Sequence, residues 1–106
     1  MKKSSTKTAT THPYIERRTD IANGKAIVAG TRIKVSQIAL EYERLGWTPD
    51  EIIDAHPHLT LAQVHDALSY YYENQAELDA ELIAEEKVAE ELRNLYASRL
   101  TSEHVG

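Results

Sequence analysis

The residues best suited to chemistry in this 106-residue chain are its five histidines. His56-Pro57-His58 is a tight pair with His65 a few residues on, which suits a metal site or an acid–base pair. The spacing argues against both. A proline between two ligands turns them apart, there is no cysteine, and no H-x-x-x-H pattern occurs. A glycine-rich phosphate loop, a serine nucleophile elbow and a metal-binding carboxylate trio are equally missing from the sequence. The expectation is a non-enzyme, with no catalytic residue, no metal and no cofactor.

Charge is the more informative chemistry. The net charge of −5 conceals an asymmetry. Residues 1–35 hold eight Lys/Arg against Glu16 and Asp20, a net of +6, whereas residues 36–106 hold four against fifteen acids, a net of −11. Two faces with different partners are one reading, and a dipolar solvated surface is the other. Arg32 carries a rigid donor fork suited to a carboxylate or a phosphate, so an internal ion pair with Asp54 or Glu51 and a phosphate contact both stay open.

The elements that would position these groups follow from local signals. Residues 1–12 are rich in Ser, Thr and Lys without periodicity and read as a disordered basic tail. Tyr14-Ile15, Ala26-Ile27-Val28 and Ile33-Lys34-Val35 are β-favouring pieces, and Asn23-Gly24 can supply two positive-φ turn positions. Ser36 is a candidate cap for a helix to Leu45 with Ile38, Ala39, Tyr42 and Leu45 on one face and Gly46 as its stop. Thr48-Pro49-Asp50-Glu51 and Thr60-Leu61-Ala62-Gln63 are capping boxes. The first opens a short helix ended by His56-Pro57, the second a longer one with Leu61, Val64, Leu68 and Tyr71 inward. From Asn74 a third cap signature opens one long helix to about Leu100, with a coiled-coil-like stripe of Leu78, Leu82, Ala89, Leu92 and Tyr96 interrupted at Glu85.

A short helix, a brief break and a longer helix have the dimensions of a helix-turn-helix, whose second helix would offer Thr60, Ala62, Gln63 and Asp66 to a DNA groove, with His65 nearby. Gln63 can read adenine, but residues 36–72 carry one arginine against six acids. Duplex affinity would therefore rest on Lys2, Lys3, Lys7, Arg17, Arg18, Lys25 and Lys34, doubled by dimerisation, with Arg32 a further candidate for a phosphate contact.

The stretch from Asn23 to Val35 (NGKAIVAGTRIKV), then Leu45 to Ile52 (LGWTPDEI), then Pro57-His58-Leu59-Thr60 resembles the DUF433 family over about residues 14–80. Ala26 stands where a proline is common in that family. The resemblance implies a homeodomain-like helix-turn-helix and a VapB-type antitoxin role opposite a PIN-like ribonuclease toxin. On that reading the acidic helix, with eight acids and one lysine over residues 73–91, would occupy the toxin's basic surface. Its candidate contacts are Leu78, Leu82, Glu85, Glu86, Leu92 and Tyr96.

The expected fold is mainly α, a small α+β chain. It has a short N-terminal β segment, a three-helix homeodomain-like bundle and a long C-terminal helix, divided as 1–12, 13–74 and 75–106. The expected function is an antitoxin-like module, and the lack of any roughly 20-residue apolar run leads to the expectation of no membrane partner. The N-terminus has no apolar segment of a secretory signal, so the expected location is the cytoplasm. A small core and unpaired strands lead to the expectation of a homo-oligomer, most simply a dimer. A structural or adaptor homodimer without DNA or toxin partner is the alternative.

Overall fold

The computed structural model describes residues 6–104, with side chains to residue 99. It is mainly helical with a small three-stranded antiparallel sheet in the order β1-β2-β3. The strands are β1 (Lys7–Ala9), β2 (Ile15–Arg18) and β3 (Ile27–Val28). Lys7 pairs with Arg18 and Ile15 with Val28. The tail expected to be disordered over residues 1–12 therefore contributes a strand at residues 7–9, because β2 offers it an edge; residues 1–5 lie outside the described residues. The strand pieces find partners inside the chain.

Asn23-Gly24 does adopt positive φ, at 55° and 82°, and Ala22 joins it at 54°. These three residues close a left-handed turn, held by Gly24 N–H to Ile21 O at 3.0 Å and Lys25 N–H to Ala22 O at 3.0 Å. A left-handed alanine costs roughly 1–2 kcal/mol. The next turn is tied more firmly. Gly30 has φ of 79°, the Thr31 hydroxyl donates to Val28 O at 2.8 Å, and Ile33 N–H donates to Thr31 Oγ1 at 3.0 Å. Val28 N–H to Ile33 O closes the loop and leaves Arg32 at its exposed tip.

Helix α1 (Val35–Ala39) runs into a π-helical turn, Leu40–Arg44, marked by Leu45 N–H donating to Leu40 O. Lys34, not Ser36, precedes its first turn; Ser36 lies inside the helix, and its buried hydroxyl has no hydrogen-bond partner among the described residues. Ile38 and Ala39 are buried as expected, but Tyr42 and Leu45 are exposed because the wider turn rotates them off the core-facing side. Instead Glu41 is buried, where it accepts from Gln37 at 2.8 Å and is bonded to His56 Nε2 at 2.8 Å.

Helices α2 (Pro49–Ala55) and α3 (Leu61–Glu73) begin at Thr48 and Thr60, each with both hydrogen bonds of a capping box. Val64, Leu68 and Tyr71 enter the core as their spacing predicts. Leu61 does not; at the first position of α3 it is 46% exposed. Asn74 ends α3 by donating from its side chain to Tyr70 O at 3.0 Å.

Helix α4 (Gln75–His104) follows at once, about 45 Å long at about 1.5 Å per residue. Its first two turns belong to the body, since Leu78 is fully buried and Leu82 is 7% exposed. The chain beyond Asn74 thus supplies part of the core. The Leu78 side of α4 lies against α1 and completes a core with Ile38, Ile52 and Val64. Beyond Ala89 every residue to Arg99 is exposed. The radius of gyration of 17.0 Å exceeds the roughly 13 Å of a compact chain this size because of this projecting arm.

Candidate interaction surfaces

The basic N-terminal segment and the acidic helix meet in the folded chain. Arg17 donates to Glu77 at 2.6 Å and to the Tyr70 hydroxyl at 2.9 Å. Lys25 reaches Glu85 at 3.0 Å, Lys34 bonds to the same carboxylate oxygen, and Arg44 pairs with Glu86 at 3.4 Å. Partial burial works against ionising Glu85, but Lys34 and Lys25 outweigh it and hold the carboxyl below the usual carboxylate range. Arg18 pairs with Asp20 at 3.0 Å, and Lys7 lies 3.3 Å from Glu16. Glu16 is buried, and the Gly30 N–H donated to it, with help from Lys7, lowers its pKa against the cost of burial.

These pairs redistribute the candidates. Arg17, Arg18, Lys25 and Lys34 already have carboxylate partners. Arg32 has none among the described residues, and so the ion pair with Asp54 or Glu51 is not formed; Arg32 lines a cavity of about 190 Å³ with Ile21, Ala22, Asn23, Lys25 and Lys34. Thr60 and Gln63 are engaged in their capping box, Gln63 Oε1 accepting from Thr60 N–H at 2.8 Å. Of the six α4 candidates, Leu78 and Leu82 are buried in their own body and unavailable to a partner, and Glu85 and Glu86 are ion-paired. Leu92 and Tyr96 remain open, 61% and 65% exposed.

A cluster that sequence reasoning missed anchors the N-terminal strands to α3. His12 is buried, with Nδ1 2.9 Å from Asp66 and Nε2 2.7 Å from Glu73, and its ring stands edge-on to Tyr70. Asp66, read from sequence as facing a DNA groove, also accepts from Tyr14 N–H at 2.9 Å. The hydrogen bond to Glu73 raises the His12 pKa against the effect of burial, and Asp66 adds to the rise. Alternation of His12 with acids 54 and 61 positions away leaves no local trace. Among the described residues no three His, Asp or Glu are arranged to hold a metal ion.

Two further surfaces flank α4. A notch of about 410 Å³ lies between it and the π-helical turn, lined by Leu40, Arg44, Leu45, Leu82, Glu85 and Glu86. Beyond the notch Val88, Leu92, Leu95 and Tyr96 form an exposed apolar stripe. Tyr71 packs beneath the start of α4 and donates to Asp79 at 2.6 Å; burial, then that bond, pushes its pKa up to about 12.

The segment from β2 through most of α3, carrying both glycine-tied turns and both capping boxes, is the part that a known family model matches, over residues 15–71. The chain belongs to the DUF433 family. That family is described as one of unknown function. No curated protein and no solved structure gives a significant match. The DUF433 match ends before α4, so the arm and its stripe lie outside the region that defines the family. Among the described residues no helix is long and apolar enough to cross a membrane.

Proposed function

We propose that the chain is a non-catalytic, antitoxin-like binding module of the cytoplasm whose α4 arm engages a partner protein, a PIN-like ribonuclease toxin in the fullest form of the reading. The observation that carries it is the arm itself. Leu92, Leu95 and Tyr96 are each at least 60% exposed on a helix that has already left its body. Contiguous apolar surface of that kind marks an interaction site. The helix is read as a segment laid into a partner's groove through residues spaced three and four apart. Its acids are a lesser part of the recognition than their number suggests, since Glu77, Asp79, Glu85 and Glu86 all have partners in the chain. In this reading α2 and α3, joined across residues 56–60, form a homeodomain-like helix-turn-helix, and contact with operator DNA falls to the face bearing Lys25, Arg32 and Lys34.

The test is co-expression with the product of the adjacent gene. A chain ending after Ala89 keeps Leu78, Leu82 and Glu85, so it should retain a cooperative melt and lose the copurifying partner. Retention of the partner by the shortened chain would move the site to the body and refute the reading.

One observation favours a second reading, a structural homodimer with no toxin or DNA partner. Residues 86–99 carry Glu86, Glu90 and Glu91 against Lys87, Arg93 and Arg99, a net of zero, so two arms do not repel. Laid antiparallel with Ala89 opposite Leu92, each Glu86 meets the other copy's Arg93 and each Val88 meets Leu95. Sedimentation of the purified chain separates the readings. A dimer broken by Arg93→Glu and restored by adding Glu86→Arg supports the second, and a monomer at tens of micromolar (about the weak-dimer range) removes it.

A further inference from the structure

The cavity beside the left-handed turn is lined by three cations, Lys25, Arg32 and Lys34, two of which share the carboxylate of Glu85, a residue outside the lining. Its local charge is therefore +2. Arg32 differs from the other Lys and Arg residues between positions 6 and 44, each of which lies against an acid: Lys7, Arg17, Arg18, Lys25, Lys34 and Arg44 are all paired, whereas Arg32 has no hydrogen bond or ion pair among the described residues. The loop that carries it is rigid, with Thr31 and Ile33 bonded to each other and to Val28, so the unpaired guanidinium is held out on a fixed support. Ala22, at φ 54°, also lines the cavity. Backbone strain of this kind, at a non-glycine residue, persists only where surrounding structure enforces it and is concentrated at binding sites.

We infer that this corner is a phosphate-binding site, in which Arg32 provides the fork and Lys25 and Lys34 complete the neutralisation. A guanidinium offers paired donors that match two oxygens of a phosphate, and an anion of charge near −2 balances the cavity. Glu85 of α4 is the internal competitor, because it holds the two lysines that the ligand would share. The phosphate can be a free or monoester group, or the diester of a nucleic-acid backbone. The inference deepens the DNA part of the proposed function and is independent of the arm and its protein partner.

The experiment uses the full chain in phosphate-free buffer. Backbone amides and arginine side chains are followed by NMR while inorganic phosphate, and separately a 12-base-pair duplex of arbitrary sequence, is added. Saturable shifts at Ala22–Lys25 and at the Arg32 side chain are expected with inorganic phosphate. Arg32→Gln, a change at an exposed and unpaired residue, should weaken binding by about tenfold or more. Glu85→Gln removes the competitor and should tighten it about threefold. Similar shifts with the duplex, also lost in Arg32→Gln, assign the site to the phosphodiester backbone. Saturation by phosphate alone keeps the site and removes the operator-contact reading. The inference is overturned if neither probe gives saturable shifts at these residues, or if Arg32→Gln leaves the affinity unchanged.

Discussion

Replacing Leu78 by alanine asks whether α4 is a pillar of the body or an appendage. Leu78 is fully buried among α1, α3 and the start of α4, whereas Leu92 on the same helix is 61% exposed. Leu→Ala removes apolar volume worth about 0.8 kcal/mol per CH₂, and the unfilled cavity brings buried cases to about 2–5 kcal/mol. Taking about 3 kcal/mol, and about 4–8 °C per kcal/mol for a body of this size, Tm should fall by about 12–24 °C. Leu92→Ala leaves no cavity and should stay within about 0.5 kcal/mol, or about 2–4 °C. Leu82→Ala, at a site 7% exposed, should behave like Leu78→Ala but toward the lower end. Thermal melts followed by circular dichroism at low micromolar protein check this, at one fixed concentration so that any self-association contributes equally. A Leu78→Ala shift no larger than that of Leu92→Ala would refute the placement of α4 in the core.

Three further outcomes follow from the geometry. Because His12 has its pKa raised by Glu73 and Asp66, its contribution to stability is complete below its unfolded pKa of about 6.5 and is lost as pH rises through the higher folded value. Denaturant midpoints should thus decline above neutrality in the parent chain and decline less in His12→Gln; identical pH profiles would contradict the clamp. Thr60→Ala removes the cap of α3 and should cost about 1 kcal/mol in a urea titration, while Thr60→Ser should restore most of it. Tyr71 and Tyr72 are pushed up to about 12, Tyr71 chiefly by burial and Tyr72 by its hydrogen bond to Glu43, so absorbance titration at alkaline pH should show a late-ionising step, with Tyr71→Phe and Tyr72→Phe each reducing its amplitude.

What the sequence determined by itself was local. The capping boxes at Thr48 and Thr60, the positive-φ positions at Asn23 and Gly24, and the stop at Gly46 were all legible, because each is satisfied by atoms within a few residues along the chain. The Val64, Leu68, Tyr71 face was legible for the same reason, its period being that of the helix. Only the tertiary structure decided how the charges were divided. Glu85 stands 60 residues from Lys25 and 51 from Lys34, and His12 lies 54 and 61 residues from its two acids. An acidic run therefore looked like a free partner surface in sequence, although Glu77, Glu85 and Glu86 within it serve the body's own cations. The same holds for the stripe on α4, where Leu78 and Leu92 share a period but differ completely in burial. Periodicity marks which face of a helix is apolar; which turns of that face are covered depends on where the rest of the chain ends in space.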